Sequence, residues 1–181
     1  MNNKYFIAIV LPEPTLTVIE QLKLNLSSKF NLKGALRSPA HITLHMPFEY
    51  SIDKEKHLLN ALSLFKFDEE LFLEIKGFGY FDKRVIYADL TPNKNLNQLY
   101  NSLKHFISSN LKIENEINNL RGFHPHITLA FRDLKKHQFD DIWQETNLYN
   151  CNCSFNVNSI SILKLNTVWE VLKNYPINNF I

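Results

Sequence analysis

The sequence predicts a mixed α+β protein built from two similar halves, with mostly antiparallel strands. Three observations support this fold class. Short segments with strand-like and helix-like apolar patterns alternate along the 181 residues, which favours α+β over a doubly wound parallel sheet. No connecting segment is rich enough in Pro, Gly or Ser to separate domains, so residues 1–181 are interpreted as one domain. The phrase His-Ile-Thr-Leu occurs twice, at 41–44 and at 126–129.

The predicted elements follow one another in a simple order. An apolar run at residues 5–11, ended by Pro12, predicts a first strand, and apolar residues at three- and four-residue steps over 16–30 predict a helix. The first repeated phrase predicts a short strand that ends at Pro47. The remaining predicted elements are a helix over 54–65, strands over 71–76 and 84–90, a helix over 96–107, a strand at the second phrase, a short helix over 134–146, and strands over 151–157, 159–165 and 167–175.

Composition excludes several classes of function. Apolar residues make up 45% of the chain and the formal net charge is +2, so a globular protein is predicted, and one that does not coat nucleic acid non-specifically. No stretch approaches the roughly 20 apolar residues that a membrane-spanning helix needs. Cys151 and Cys153 lie too close together for an ordinary disulfide, which favours the reduced cytoplasm. We therefore expect a cytoplasmic monomer that does not bind membranes.

Each copy of the repeated phrase is predicted to place a histidine and a threonine on one face of a strand. Side chains alternate along a strand, so His41 points the same way as Thr43, and His126 the same way as Thr128. Two imidazoles in one cleft suit proton transfer near neutral pH, because one can be neutral while the other is charged. Hydroxyls beside them can donate hydrogen bonds to phosphate oxygens. Together the four side chains predict phosphodiester chemistry that needs no metal or other cofactor.

The paired motifs and several supporting stretches resemble a known family. The supporting stretches are the opening YFIAIVLP, the middle IKGFGYFDKRVIYADLTPNKNLNQLYNSL and the closing FNVNSISILKLN. They are similar to the two-histidine phosphoesterases, which include bacterial 2′-5′ RNA ligase-like proteins and RNA 2′,3′-cyclic phosphodiesterases. The resemblance implies a bilobal fold of two pseudo-symmetric, mostly antiparallel sheets flanked by helices, with a central cleft.

The same resemblance implies an activity and assigns residues to it. His41 and His126 would be the acid–base pair, and Thr43 and Thr128 would bind the phosphate. The substrate would be RNA or a nucleotide with a cyclic phosphate, which is opened to a 2′-phosphate, and some members of the family reversibly form 2′-5′ linkages. Many relatives carry a basic residue soon after the second motif, where this chain has a phenylalanine and only then Arg132.

Six further residues near the motifs are candidate substrate-binding residues. Arginine binds phosphate oxygens with a planar fork, and arginines lie shortly before or after the motifs. By strand alternation, one further histidine near each motif should share the face of the acid–base pair. Aromatic side chains can stack on nucleobases, and the resemblance places one such side chain in a loop beside the cleft. The six candidates are Arg37, Arg121, Arg132, His45, His124 and Phe81.

Two other functions stay open at the level of sequence. A metal-dependent hydrolase could use His41 with His45, or His124 with His126, as ligands. However, ligation by residues four apart requires a helix, whereas this segment is β-branched and proline-stopped, so the site is predicted to hold no metal. The second alternative is an RNA- or nucleotide-binding module that has the cleft but little catalytic activity.

Overall fold

The computed structural model describes residues 1–115 and 122–177, which form eight strands and four helices. The strands are β1 (Asn2–Val10), β2 (His41–Ser51), β3 (Phe72–Phe81), β4 (Val85–Leu90), β5 (His126–Phe131), β6 (Cys153–Asn156), β7 (Ser159–Leu165) and β8 (Trp169–Pro176). The helices are α1 (Thr15–Phe30), α2 (Glu55–Leu62), α3 (Lys94–Leu111) and α4 (Phe139–Thr146). The order of elements predicted from the sequence is confirmed. Within the described ranges, no helix combines the length and hydropathy needed to cross a membrane.

The strands form one antiparallel sheet in the order β6-β3-β4-β5-β2-β1-β7-β8. The two halves of this order are alike, because each begins with a motif strand and continues outward through three more strands. The motif strands β2 and β5 are neighbours at the centre and share one registered pair, Ile42 with Ile127. The α+β class is therefore confirmed, and the two predicted sheets are joined through this pair into one.

One face of the sheet is covered by the helices. Apolar residues on this face of the strands, such as Tyr5, Ile7 and Ile9 on β1, form one buried cluster with apolar residues from all four helices. The opposite face carries a much smaller apolar cluster around Phe6, Ala8 and Leu163. Since helices cover only the first face, the second is the one on which a cleft can form.

Strand β2 does not end at Pro47, as the sequence predicted, but continues to Ser51. The pairing of β2 with β1 is irregular at two places, between Thr43 and His45 and again between His45 and Phe48. The second irregularity contains Pro47, and β2 pairs with β5 only at Ile42. Proline is tolerated at bulges and on unpaired strand edges because it has no N–H to donate. The strand therefore passes the proline without losing its pairing with β1.

Candidate functional site

The two repeated motifs meet at the centre of the sheet. Because Ile42 and Ile127 are directly opposite in an antiparallel pair, their neighbours oppose each other as well: His41 lies across from Thr128, and Thr43 across from His126. Ile42 and Ile127 are buried in the core, and the other four side chains are half-buried on the opposite face. The predicted grouping of two histidines and two threonines in one place is therefore present in the structure.

Both histidines are held in the same way. The Nδ1 atom of His41 lies 2.7 Å from the carbonyl oxygen of Pro39, and the Nδ1 atom of His126 lies 2.8 Å from that of His124. A carbonyl oxygen only accepts hydrogen bonds, so Nδ1 carries a proton in each ring and Nε2 is the atom that can exchange one. Within the described residues, neither Nε2 atom nor either threonine hydroxyl has a hydrogen-bond partner.

Burial and neighbouring charges shift the proton affinity of both rings. Burial lowers the pKa of His41 to about 4, and positive charges on Lys23 and His126 act in the same direction. Burial also lowers the pKa of His126, but the carboxylate of Asp89 opposes that change. A charge on His126 affects His41, which is expected of two side chains that share one cleft. The two rings have similar hydrogen bonds but different electrostatic surroundings.

Aromatic side chains pack against both histidines. The ring of Phe6 lies 4.9 Å from that of His41. On the other side, the rings of Phe81 and Tyr87 each lie 5.1 Å from that of His126. Such contacts restrict the orientation of each imidazole and exclude water from its sides. Phe81 is thus located beside the second motif, as predicted.

A cavity of about 300 Å³ adjoins the first motif. Its walls come from α1, from the segment before His41 and from the turn between β7 and β8, and they include Arg37, Pro39 and Trp169. The cavity is next to His41, because Pro39 accepts the hydrogen bond of that ring and Trp169 packs edge-on against Phe6 at 4.7 Å. Arg37 is exposed at the cavity, where Nη2 donates a hydrogen bond to the carbonyl oxygen of Thr167. The volume of this cavity is at the small end of the range for ligand-binding pockets.

The prediction that His45 shares the face of His41 is wrong. The irregularity in β2 between Thr43 and His45 leaves Leu44 as an extra residue, so His45 pairs with the core residue Ile7. The imidazole is 1% exposed and packs edge-on against Phe48. His45 therefore lies in the core on the opposite side of the sheet from the motif histidines.

The other predicted flanking residues lie in different surroundings. His124 is exposed beside the second motif, with its Nε2 atom 3.6 Å from Asp89 and its ring near Phe81. Arg132 follows the end of β5 in a left-handed conformation, with its guanidinium 4.9 Å from the ring of Phe131. Arg121 lies outside the described residues. Of this set, His124, Phe81 and Arg37 are located next to the motifs.

The described ranges do not provide a metal centre. No group of three His, Cys, Asp or Glu side chains in residues 1–115 and 122–177 is arranged to hold a metal ion. Of the two pairs considered from the sequence, the pair of His41 and His45 is divided between the two faces of the sheet. These two side chains therefore cannot bind the same ion.

Several site residues are not evident from the sequence motifs. Phe6 and Trp169 contact the first motif region from β1 and β8, and Tyr87 and Asp89 lie beside the second motif on β4. The alternation of YAD in β4 could have indicated that Tyr87 and Asp89 share a face. Which strand would be the neighbour of β5 could not have been read from that alternation. Finding these four residues from the sequence would have required the order of strands in the sheet as well as the periodicity of each strand.

Comparison with known proteins is consistent with this architecture. The family model of the 2′-5′ RNA ligase superfamily matches residues 11–169, and the chain belongs to this superfamily of two-histidine phosphoesterases. Membership supports an activity of the phosphodiesterase or ligase type. No curated protein sequence matches the chain significantly.

Solved structures show that the fold is shared over the whole chain. Escherichia coli LigT complexed with 3′-AMP is 21% identical, with a TM-score of 0.65, and the match covers 98% of this chain and 99% of LigT. The protein TT0787 of Thermus thermophilus is 18% identical, with a TM-score of 0.66, and the match covers 98% of this chain and 100% of that protein. LigT has also been crystallised with ATP, at 20% identity, a TM-score of 0.64 and coverage of 99% and 100%. The chain is similar to these proteins in fold.

Proposed function

We propose that this protein is a phosphodiesterase that opens 2′,3′-cyclic phosphates on RNA or nucleotides, with His41 and His126 as its acid–base pair and without a metal ion. The proposal depends mainly on one observation, which is that both rings bind a backbone carbonyl through Nδ1. This arrangement leaves two Nε2 atoms on one face of the sheet. One Nε2 removes a proton from the attacking water, and the other donates a proton to the leaving ribose oxygen. The same steps with a 5′-hydroxyl in place of water would break the same P–O3′ bond and join the phosphate to that hydroxyl through a 2′-5′ linkage.

Thr43 and Thr128 bind the phosphate in this proposal. Each hydroxyl lies across the strand pair from the histidine of the other motif. A phosphate that contacts both hydroxyls therefore lies between the two imidazoles. Hydrogen bonds from these hydroxyls, which have no partner among the described residues, stabilise the charge that develops on the non-bridging oxygens as the water attacks.

The cavity beside His41 supports a nucleotide substrate. Trp169 offers an aromatic ring on which a base can stack, and Arg37 places a guanidinium at the same cavity. A volume of about 300 Å³ accommodates one nucleoside rather than a long strand. LigT, which has the same fold, has been crystallised with 3′-AMP and with ATP. We therefore propose that the nucleoside bearing the cyclic phosphate occupies this cavity. We also propose that the protein acts as a cytoplasmic monomer.

The alternatives make different predictions in one assay. The purified protein is incubated with 2′,3′-cyclic nucleotides and with RNA ending in a cyclic phosphate, with and without EDTA, and the product phosphate is located by NMR. A 2′-phosphate formed at an unchanged rate in EDTA supports the proposal. Binding without turnover supports the binding module instead, and loss of turnover in EDTA with recovery on adding a metal supports the hydrolase.

Variants of the two histidines complete this experiment. His41→Ala and His126→Ala are each expected to lose at least about 10²-fold in kcat, which is typical for loss of a positioned acid or base. His57→Ala is a suitable control, because His57 lies on α2 and hydrogen-bonds to Tyr50 away from the motifs. Near-wild-type turnover in either motif variant would contradict the proposal.

A further inference from the structure

The segment between α1 and the first motif carries two groups of the site. Residues 33–40 contain Arg37, which lines the cavity, and Pro39, whose carbonyl oxygen accepts the hydrogen bond of His41. We infer that three charged side chains from outside this segment are positioning residues that hold its two ends. These side chains are Glu20, Lys23 and Asp133. The inference rests on the proposed function, because it concerns how the groups of that same site are held in place.

A buried ion pair on α1 holds the C-terminal end of the segment. Lys23 is 2% exposed, and its Nζ atom lies 2.9 Å from Glu20 Oε1 and 2.8 Å from the carbonyl oxygen of Ser38. The same Glu20 oxygen accepts a hydrogen bond of 2.5 Å from the backbone N–H of Ala40. Proline has no N–H to donate, so the position of Pro39 depends on the two residues that flank it. The ion pair fixes both of these residues.

The ion pair acts on His41 through the carbonyl oxygen of Pro39. That oxygen lies 2.7 Å from Nδ1 of the ring, so it selects the tautomer in which Nδ1 carries the proton and Nε2 can exchange one. A shift of the flanking peptide groups would move this acceptor and release the ring. A buried ammonium group is stable only when its charge is paired and hydrogen-bonded. Here the group that Lys23 binds, besides its ionic partner, is the backbone that orients a catalytic imidazole.

The N-terminal end of the segment is held by a residue that follows the second motif strand. Asp133 Oδ2 accepts hydrogen bonds from the backbone N–H groups of Lys33, at 2.5 Å, and of Gly34, at 2.8 Å. A Cβ atom on Gly34 would lie 2.4 Å from the carbonyl oxygen of Phe131, so the glycine permits a close approach to the end of β5. A short 3-10 turn, Ala35–Arg37, begins with the next residue. The end of one motif strand therefore fixes the turn that leads into the other motif.

The anchored turn places Arg37 at the cavity. The backbone N–H of Arg37 bonds to the carbonyl oxygen of Gly34 at 3.4 Å, and its Nη2 atom donates to the carbonyl oxygen of Thr167 at 3.2 Å. The side chain is otherwise exposed, so the location of the guanidinium depends on the backbone from which it extends. Loss of the Asp133 anchor should therefore weaken substrate binding, whereas loss of the ion pair should impair proton transfer by His41.

The second motif is held by different contacts. The ring of His126 bonds to the carbonyl oxygen of His124. The residue before His124 is Phe123, which stacks on Tyr100 of α3 with the ring centroids 3.9 Å apart. The three positioning residues bond instead to the backbone of residues 33–40. His126 is therefore an internal control for changes at His41.

NMR tests the ion pair directly, because the nitrogen shifts of a neutral imidazole report which nitrogen carries the proton. The double variant Glu20→Leu/Lys23→Met removes both charges, since removal of one partner would leave the other charge unpaired. At a pH where both rings are neutral, we expect His41 to change from the Nδ1–H tautomer to a mixture of tautomers, whereas His126 should keep its Nδ1–H tautomer. A His41 ring that keeps the wild-type tautomer would overturn the role of the ion pair.

Kinetic measurements separate position from charge. The double variant should lower kcat for a 2′,3′-cyclic nucleotide by roughly ten- to a hundredfold, because small misplacements of a catalytic group have effects of that order. In Glu20→Gln the amide oxygen can still accept from Ala40 and Lys23, so kcat should stay close to that of the wild type. Gln21→Leu is the matched control, because the exposed Gln21 bonds to Asn25 within α1. Equal losses in Glu20→Gln and in the double variant would contradict a positioning role. Circular dichroism establishes that each variant is folded.

The Asp133 anchor is tested through KM. For Asp133→Ala, KM for a 2′,3′-cyclic nucleotide should rise by roughly tenfold, which is the lower end of what a hydrogen bond to a charged group contributes, with kcat little changed. Asp133→Asn keeps an acceptor for the two N–H groups and should restore most of the affinity. In an Arg37→Ala background, Asp133→Ala should raise KM little further, because the anchor acts through that arginine. The matched control is Asp140→Ala, which removes an exposed carboxylate that pairs with Lys83. An unchanged KM, or effects that multiply in full, would overturn this role.

The two possible failures are distinguishable. A wild-type protein that opens no cyclic phosphate contradicts the proposed function, whereas the tautomer of His41 is measured without turnover. A wild-type protein that is active, together with variants that keep its kcat, its KM and the His41 tautomer, would leave the proposed function standing and overturn the positioning roles.

Discussion

Gly79 lies directly opposite Tyr87 on the neighbouring strand, and a Cβ atom built on Gly79 would come within 2.5 Å of the Tyr87 ring. The glycine therefore provides the space that this ring occupies, and the ring in turn packs against His126. We expect Gly79→Ala to displace Tyr87 and to lower kcat by roughly ten- to a hundredfold, because small misplacements of catalytic groups have effects of that order. Overpacking should lower the free energy of unfolding by about 1–3 kcal/mol. Steady-state kinetics and urea denaturation measure the two effects.

A double variant separates this mechanism from a general loss of stability. Tyr87→Leu removes the ring that an alanine at position 79 would contact. If the clash is the cause, adding Gly79→Ala to Tyr87→Leu should cost little further activity, so the two effects are not additive. Losses that add in full would contradict the explanation.

The pH dependence follows from the shifted pKa values of the motif histidines. One imidazole of the pair must be neutral and the other protonated. The pKa of His41 is about 4, so activity is lost on the acid side as the pH falls towards that value. The pKa of His126 is lowered by burial, so activity declines on the other side as the pH rises through a value below the ordinary 6.5. We expect a bell-shaped profile of kcat/KM, whose limbs report the pair in the free enzyme, with its maximum on the acidic side of pH 6.5. A flat profile, or a maximum above pH 7.5, would contradict the pairing of these two imidazoles.

The role of the cavity is tested by Trp169→Leu. Stacking of a base on an aromatic side chain contributes about 1–3 kcal/mol, so KM for a 2′,3′-cyclic nucleotide should rise by roughly 5- to 150-fold, with kcat little changed. A ribose 2′,3′-cyclic phosphate that lacks a base should show no such rise. Trp143→Leu is the matched control, because Trp143 lies on α4, where it packs against Tyr80 and Phe139 and does not line the cavity. Equal effects on the two substrates would show that Trp169 does not bind the base.

The shared face of the His and Thr side chains in each motif, and the order of the elements, could be predicted from the sequence because both depend on local periodicity. His41 with Thr43 and His126 with Thr128 follow from alternation over three residues, which the structure preserves. Alternation failed at His45, because the pairing of β2 with β1 inserts an extra residue at Leu44. A bulge is a property of two strands together, so the pattern of one strand does not reveal it. For the same reason, the contribution of Asp89 became evident only once β4 was known to be the neighbour of β5.

The two threonines are expected to contribute less than the histidines. Thr43→Ala or Thr128→Ala removes one hydrogen bond to a charged phosphate oxygen, worth about 1.5–3 kcal/mol. In kcat/KM this corresponds to a loss of roughly 10- to 150-fold. Serine keeps the hydroxyl, so Thr43→Ser and Thr128→Ser should retain most of the activity. If the serine variants are as impaired as the alanine variants, the threonines act through packing of their methyl groups instead.

After the Ile42–Ile127 pair, the backbone of β2 forms hydrogen bonds with the side chain of Asn115. Its Oδ1 atom accepts a hydrogen bond from the N–H of Met46 at 3.0 Å, and its Nδ2 atom donates one to the carbonyl oxygen of Leu44 at 2.9 Å. Asn115→Leu keeps a similar volume but leaves both backbone groups without that partner. Since each unsatisfied buried group costs about 1–3 kcal/mol, urea denaturation should show a loss of at least that size. The matched control is Asn110→Leu, because the exposed Asn110 makes only a local bond to Phe106 within α3. A loss no larger than that of the control would show that these two hydrogen bonds do not stabilise the fold.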